Sequence, residues 1–115
     1  MRVLFDQATP VPIRVHLEGQ EVKTVAEEGW STLKNGELLA VAESAGFDVL
    51  LTTDKNIRYQ QNLSNRKIAI VVIGEQQWPK LRPYVSLVLD AVNSATPGSY
   101  AEVEIPPLHS SLPER

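Results

Sequence analysis

Short apolar runs alternate with polar, turn-rich stretches along the chain, and the spacing inside each run separates strands from helices. Arg2 to Phe5 (RVLF), Phe47 to Thr53 (FDVLLTT) and Lys67 to Ile73 (KIAIVVI) carry apolar residues without alternation, the pattern of strands covered on both faces of a parallel sheet. Lys67 to Ile73 is the most strongly β-like of these and is expected at or near the centre of the sheet. Glu21 to Val25 (EVKTV) and Tyr100 to Ile105 (YAEVEI) alternate polar and apolar positions and are expected nearer the edges. Helical spacing fills the intervals. Leu38, Val41, Ala42 and Ala45 form one face of a helix over Glu37 to Ala45, with Asn35 as its N-cap and Gly29 to Lys34 as the loop before it. Trp78, Leu81, Val85, Val88, Leu89 and Val92 form a second stripe over Gln76 to Asn93, in which Pro83 predicts a kink. A short helix after Pro10 and Pro12 ends near Gly19 and carries His16 half-buried, and another runs from Lys55 toward Leu63. Trp30, in the loop, is expected as an anchor packed on the core. This order predicts a single α/β domain over residues 1–105, followed by a flexible proline- and serine-containing tail over residues 106–115.

Composition narrows the chemistry. The chain has 115 residues, enough for one real core, and a formal charge of −3 with a pI near 5.3. A broad basic face for nucleic acid is therefore not expected, so an RNA ligand would depend on a local patch or on bridging metal ions. The absence of cysteine excludes disulfides, thiolate metal sites and cysteine nucleophiles. His16 and His109 lie far apart and have no zinc-site spacing. The apolar runs are too short to cross a membrane and the N-terminus lacks the pattern of an export signal, so a cytoplasmic location is expected.

Two strands deliver an aspartate to their carboxyl ends: Asp6 follows Phe5, and Asp54 follows the Phe47 to Thr53 run. In open α/β sheets the chemistry sits just beyond those ends. Right-handed crossovers would bring the two aspartates to the same edge, and the helix opening with Glu37 would start there too. Each has a plainer role available. Asp54 suits the N-cap of a following helix, Asp6 suits a turn before Pro10, and Glu37 complements the positive end of a helix dipole. Glu75, just past Ile73, is a fourth acidic group with a solvated loop as its plainer setting. Lys55 and Arg58 could offer cations to a phosphate, and Asn35 and Asn56 could orient a ligand or water, with a solvated helix face and helix capping as the alternatives.

The stretches VLFDQATP, GWSTLKNGELLAVAESAGFDVLLTTDKN and IAIVVI resemble the small PIN-like family that carries the DUF5615 domain, related to the PIN nucleases of toxin–antitoxin systems and to the Mut7-C domain. The resemblance covers most of the chain, and TTDKN after an apolar strand is its most specific piece. It implies a PIN-like three-layer α/β/α sandwich with a mostly parallel central sheet of four to five strands. It also implies a cluster of Asp6, Glu37 and Asp54 that binds Mg²⁺ or Mn²⁺ and hydrolyses RNA, and an antitoxin-like partner protein. Gln7 stands where many relatives have a second acidic residue, and a further acidic residue of the full PIN pattern has no counterpart here. Carboxylates crowded at strand ends repel one another unless a cation neutralises them, and oxygen-only ligands suit Mg²⁺ or Mn²⁺. A metal-bound water could then attack a phosphodiester. The alternatives are a PIN-like module that binds RNA or a protein without cutting, favoured if only Asp6 and Asp54 converge, and a receiver- or phosphatase-like domain using one aspartate as phosphoryl acceptor. A homodimer through the terminal helix or the YAEVEI edge is also expected to be accessible.

Overall fold

The computed structural model of the protein describes residues 1–57 and 65–106. Five strands, β1 (Arg2–Phe5), β2 (Glu21–Thr24), β3 (Val49–Thr52), β4 (Ala69–Ile73) and β5 (Tyr100–Val103), form one sheet in the order β2-β1-β3-β4-β5. Every pairing is parallel. The alternation of strand side chains divides the interior into two cores. Val3, Phe5, Val49, Leu51, Val71, Ile73 and Val103 point to one face, while Leu4, Leu50, Ile70 and Val72 point to the other. Both faces are covered, which is why β3 and β4 are buried at every position and read as continuous apolar runs.

On the first face lie a 3₁₀ helix (Val11–His16), which buries Ile13, and the stretch from Trp78 to Asn93, which buries Leu81, Val88 and Val92. That stretch is not one continuous helix. Pro83 lacks an N–H and forces a 3₁₀ turn at Arg82–Tyr84, separating α2 (Trp78–Leu81) from α3 (Val85–Asn93). On the second face α1 (Asn35–Ser44) buries Leu38, Leu39 and Ala42, and Trp30 packs edge-on against Phe47 at 6.0 Å, as an anchor should. Asn35 is not the N-cap of α1. Lys34 occupies that position and Asn35 is the first helical residue, because Glu37 Oε1 accepts the Lys34 N–H at 3.4 Å and pulls the helix start back. This is half of a capping box, since a lysine side chain cannot accept the reciprocal bond. His16 is exposed rather than half-buried and stacks at 5.9 Å on Trp78. The helix expected from Lys55 toward Leu63 lies mostly outside the described residues, as does the tail from Pro107 onward. Among the described residues no helix is long and apolar enough to cross a membrane.

The crossovers fix where a site can form. The chain leaves β1 across the first face to reach β2, then returns by α1 on the second face to β3 on the other side of β1. The chain leaves the carboxyl end of β3 toward the second face, where Ile57 is buried, so the boundary between β1 and β3 is a topological switch point, the place where open α/β sheets bind their ligands. The β4 to β5 connection through α2 and α3 lies on the same face as the 3₁₀ helix but steps the opposite way along the sheet. Its hand is thus opposite to that of the β1 to β2 connection, an exception to the usual uniform hand of parallel crossovers. It covers the first face over β4 and β5, which the six-residue 3₁₀ helix cannot reach alone.

The opposite, amino edge of the sheet is held by polar contacts. Glu43 on α1 accepts the N–H groups of Lys67 and Ile68 on one carboxylate oxygen and the Arg66 guanidinium at 3.1 Å on the other. Arg2 lies 4.2 Å from the centre of the Phe47 ring and pairs with Glu21, and its N–H donates to Asp48 at 2.8 Å. Gly98, at φ +77°, turns the chain into β5, and a Cβ there would stand 2.9 Å from the Arg66 carbonyl oxygen. Gly98→Ala is expected to cost about 2 kcal/mol from left-handed backbone strain and this collision, read as a lower urea midpoint with an unchanged slope.

Candidate functional site

Parallel pairing sets Phe5 beside Leu51, so the next residues, Asp6 and Thr52, are level at the carboxyl edge of the switch point. The Asp6 N–H extends the ladder to the Leu51 carbonyl at 2.9 Å. Thr52 is fully buried, and its hydroxyl donates to Asp6 Oδ2 at 2.9 Å. The Thr52 hydroxyl oxygen in turn accepts the Asp54 N–H at 3.1 Å. One hydroxyl thus orients the Asp6 carboxylate and fixes the backbone that carries Asp54. Asp6 Oδ1 accepts the Gln7 N–H at 2.8 Å, while the Asp6 carbonyl closes a turn to Thr9 at 3.1 Å. Thr9, also buried, donates its hydroxyl to the Leu51 carbonyl at 2.9 Å, so the loop after β1 is tied back to β3. The Gln7 side chain reaches Ser31 at 3.1 Å and joins this loop to the one before α1.

The sequence-derived candidates separate into groups. Asp6 and Asp54 are both half-buried on the switch-point edge and share Thr52. Asp54 also holds the turn that follows it: Oδ1 accepts the Asn56 N–H at 2.9 Å and its carbonyl accepts the Ile57 N–H at 3.3 Å. Glu37 is exposed at the start of α1 with its carboxylate turned to the Lys34 N–H. Among the described residues, no three acidic or imidazole side chains come together as a set that could hold a metal ion. Glu75 Oε2 accepts the Gln76 and Gln77 N–H groups at 3.1 and 3.0 Å, within the loop before α2. Lys55 and Asn56 are exposed beside Asp54, and Lys55 borders a crevice of about 220 Å³ shared with Thr53, Ile73, Gly74, Glu75 and Gln76. Asn35 opens α1, and Arg58 lies outside the described residues.

The sequence reading overlooked Thr52 and Thr9. The signal for Thr52 was a hydroxyl closing an apolar strand two residues before an aspartate, but its meaning depends on the β1–β3 register. The donor set at the switch point is all oxygen, which suits a hard cation. Mg²⁺ is ordinarily held by one or two carboxylates completed by waters and substrate phosphate, so an ion at this edge would draw on Asp6 and Asp54, since the three-carboxylate set is not assembled among the described residues. Compared with models of known protein families, with curated proteins and with solved structures, the chain matches none.

Proposed function

We propose that the protein is a PIN-like ribonuclease-type module of the cytoplasm, acting on RNA at the β1/β3 switch point and paired with an antitoxin-like protein. Asp6 and Asp54 would hold one Mg²⁺ or Mn²⁺ there. The observation that supports this best is the Thr52 hydroxyl, which links both aspartates at the edge where open α/β sheets place their ligands. A divalent ion bound there would neutralise a phosphodiester and lower the pKa of a coordinated water. The chain's own contribution is orientation. Asp6 is aimed by Thr52 and Gln7, each of its oxygens retains a second lone pair, and Lys55 stands beside Asp54 as a cation for a neighbouring phosphate. A second reading, a module that binds RNA without cutting it, is favoured by the engagement of Glu37 in capping α1.

Calorimetric Mn²⁺ titration of the wild type, Asp54→Asn and Glu37→Gln, with cleavage of a mixed RNA pool in the same buffers, tests both readings. Asparagine accepts a turn bond as well as aspartate does, so Asp54→Asn should stay folded and lose Mn²⁺ affinity by about 100-fold along with cleavage. Glu37→Gln should keep both. Mn²⁺ binding without cleavage in the wild type would establish the non-cutting module, and no Mn²⁺ binding would sink the cation site.

A further inference from the structure

The stretches that leave the site edge after β1 and after β4 meet on the first face through the His16–Trp78 ring contact, 5.9 Å between centroids and tilted by 38°. Trp78 is half-buried, with part of its ring against the core, while His16 is exposed. Arg82 lies one helical turn beyond Trp78, its N–H bonded to the Trp78 carbonyl, so both residues share a face of α2. Lys80 and Arg82 are exposed. Glu75 is turned to the Gln76 and Gln77 N–H groups before α2, Arg14 on the 3₁₀ helix is paired with Glu27 at 2.6 Å, and Glu18, two residues after His16, is exposed. Beside His16 the 3₁₀ helix exposes Val15 at 73% and Val11 at 51%. In a chain of net charge −3, this surface combines aromatic rings and apolar side chains with Arg82, and the exposed Lys80 lies two residues from Trp78.

We infer that His16, Trp78 and Arg82 form a stacking platform for a base of single-stranded RNA, with Lys80 and Arg82 contacting the adjoining phosphates. The inference rests on the RNA reading above and extends it to a second subsite, reached from the same edge as Asp6. Ring stacking combined with basic side chains is how proteins hold single strands without reading their sequence. RNA offers the rings a base and the cations a phosphate in adjoining positions, which favours it over a second copy of this chain as the occupant.

Trp30 packs against Phe47 on the opposite face, so a Trp30→Phe background leaves Trp78 as the reporter tryptophan. Binding of a fluorescein-labelled octauridine is followed by anisotropy in EDTA, in parallel with Trp78 emission on adding the unlabelled strand. Saturable quenching of Trp78 at the anisotropy midpoint is expected, with affinity weakened about tenfold in Lys80→Gln/Arg82→Gln and retained in Lys67→Gln, an exposed cation on the amino edge. Binding without quenching and without a loss in the double variant would overturn the platform while leaving the RNA reading intact. No binding with or without Mn²⁺ would overturn both. Self-association in sedimentation that the double variant does not share, without oligonucleotide binding, would replace RNA by a second copy.

Discussion

Thr52→Val is expected to disable the switch-point site while preserving the shape of β3. Valine matches threonine in volume, so the packing among Leu50, Ile70 and Val72 should persist, but Asp6 Oδ2 loses its donor and the Asp54 N–H its acceptor. Leaving such groups without partners costs about 1–3 kcal/mol of stability. The larger effect falls on the ligand. An outer-shell partner that aims a metal-binding side chain is typically worth about 10–100-fold in affinity, so Thr52→Val should bind Mn²⁺ weaker by that factor. Thr52→Ser keeps the hydroxyl and should retain Mn²⁺ affinity at a cost of about 1 kcal/mol for the lost methyl. Calorimetric titration of both variants, with urea unfolding alongside, separates the two effects. Wild-type Mn²⁺ affinity in Thr52→Val would show that the hydroxyl does not orient Asp6.

The sheet was legible in the sequence because burial on both faces removes alternation. Val49 to Thr52 and Ala69 to Ile73 are buried at every position, and the unbroken apolar runs there report it directly. The helical stripe at Leu81, Val88 and Val92 was equally direct, whereas in α1 Leu38 and Ala42 are buried as expected but Leu39 is buried in place of Val41, which is only half-buried. Boundaries set by individual hydrogen bonds were less legible. Asn35 had the composition of an N-cap, yet the bond from Lys34 to Glu37 moved the start of α1 by one position. His16 fits a helical stripe in sequence, yet at the end of the 3₁₀ helix it is exposed, with its ring against Trp78 rather than in the core.

The site was legible in part. An aspartate after a buried parallel strand is visible without coordinates, so Asp6 and Asp54 could be named. What joins them is register, and no local pattern states that Asp6 is level with Thr52. Glu37 shows the reverse limit: composition places a carboxylate at a helix start near the right edge, whereas the N–H that it accepts depends on the backbone turn at Lys34. The order β2-β1-β3-β4-β5 adds the remaining step, because the switch point falls between the two strands that carry the aspartates.

Glu43→Ala is expected to be the most destabilising single change on the amino edge. The carboxylate ties α1 to the start of β4 through the Lys67 and Ile68 N–H groups and Arg66, bonds that helix propensity does not reveal. Partial burial by itself would raise its pKa. The Ile68 and Lys67 N–H groups and the Arg66 charge outweigh that effect, and the group titrates below the ordinary carboxylate range. A carboxyl whose folded pKa is depressed stabilises the fold above its unfolded pKa, and that contribution is lost as pH falls through the unfolded and then the folded value. Alanine removes an acceptor of charge-assisted bonds, so a loss of about 3 kcal/mol is expected at neutral pH, on the order of 10 °C in Tm. Glu43→Gln should lose less, because its amide oxygen can still accept the two backbone N–H groups. The decisive measurement is urea unfolding from pH 7 down to pH 3. The wild type should lose stability more steeply than Glu43→Ala below about pH 4.5, the two curves converging as the carboxylate is neutralised. Parallel curves would show that Glu43 does not act through its charge.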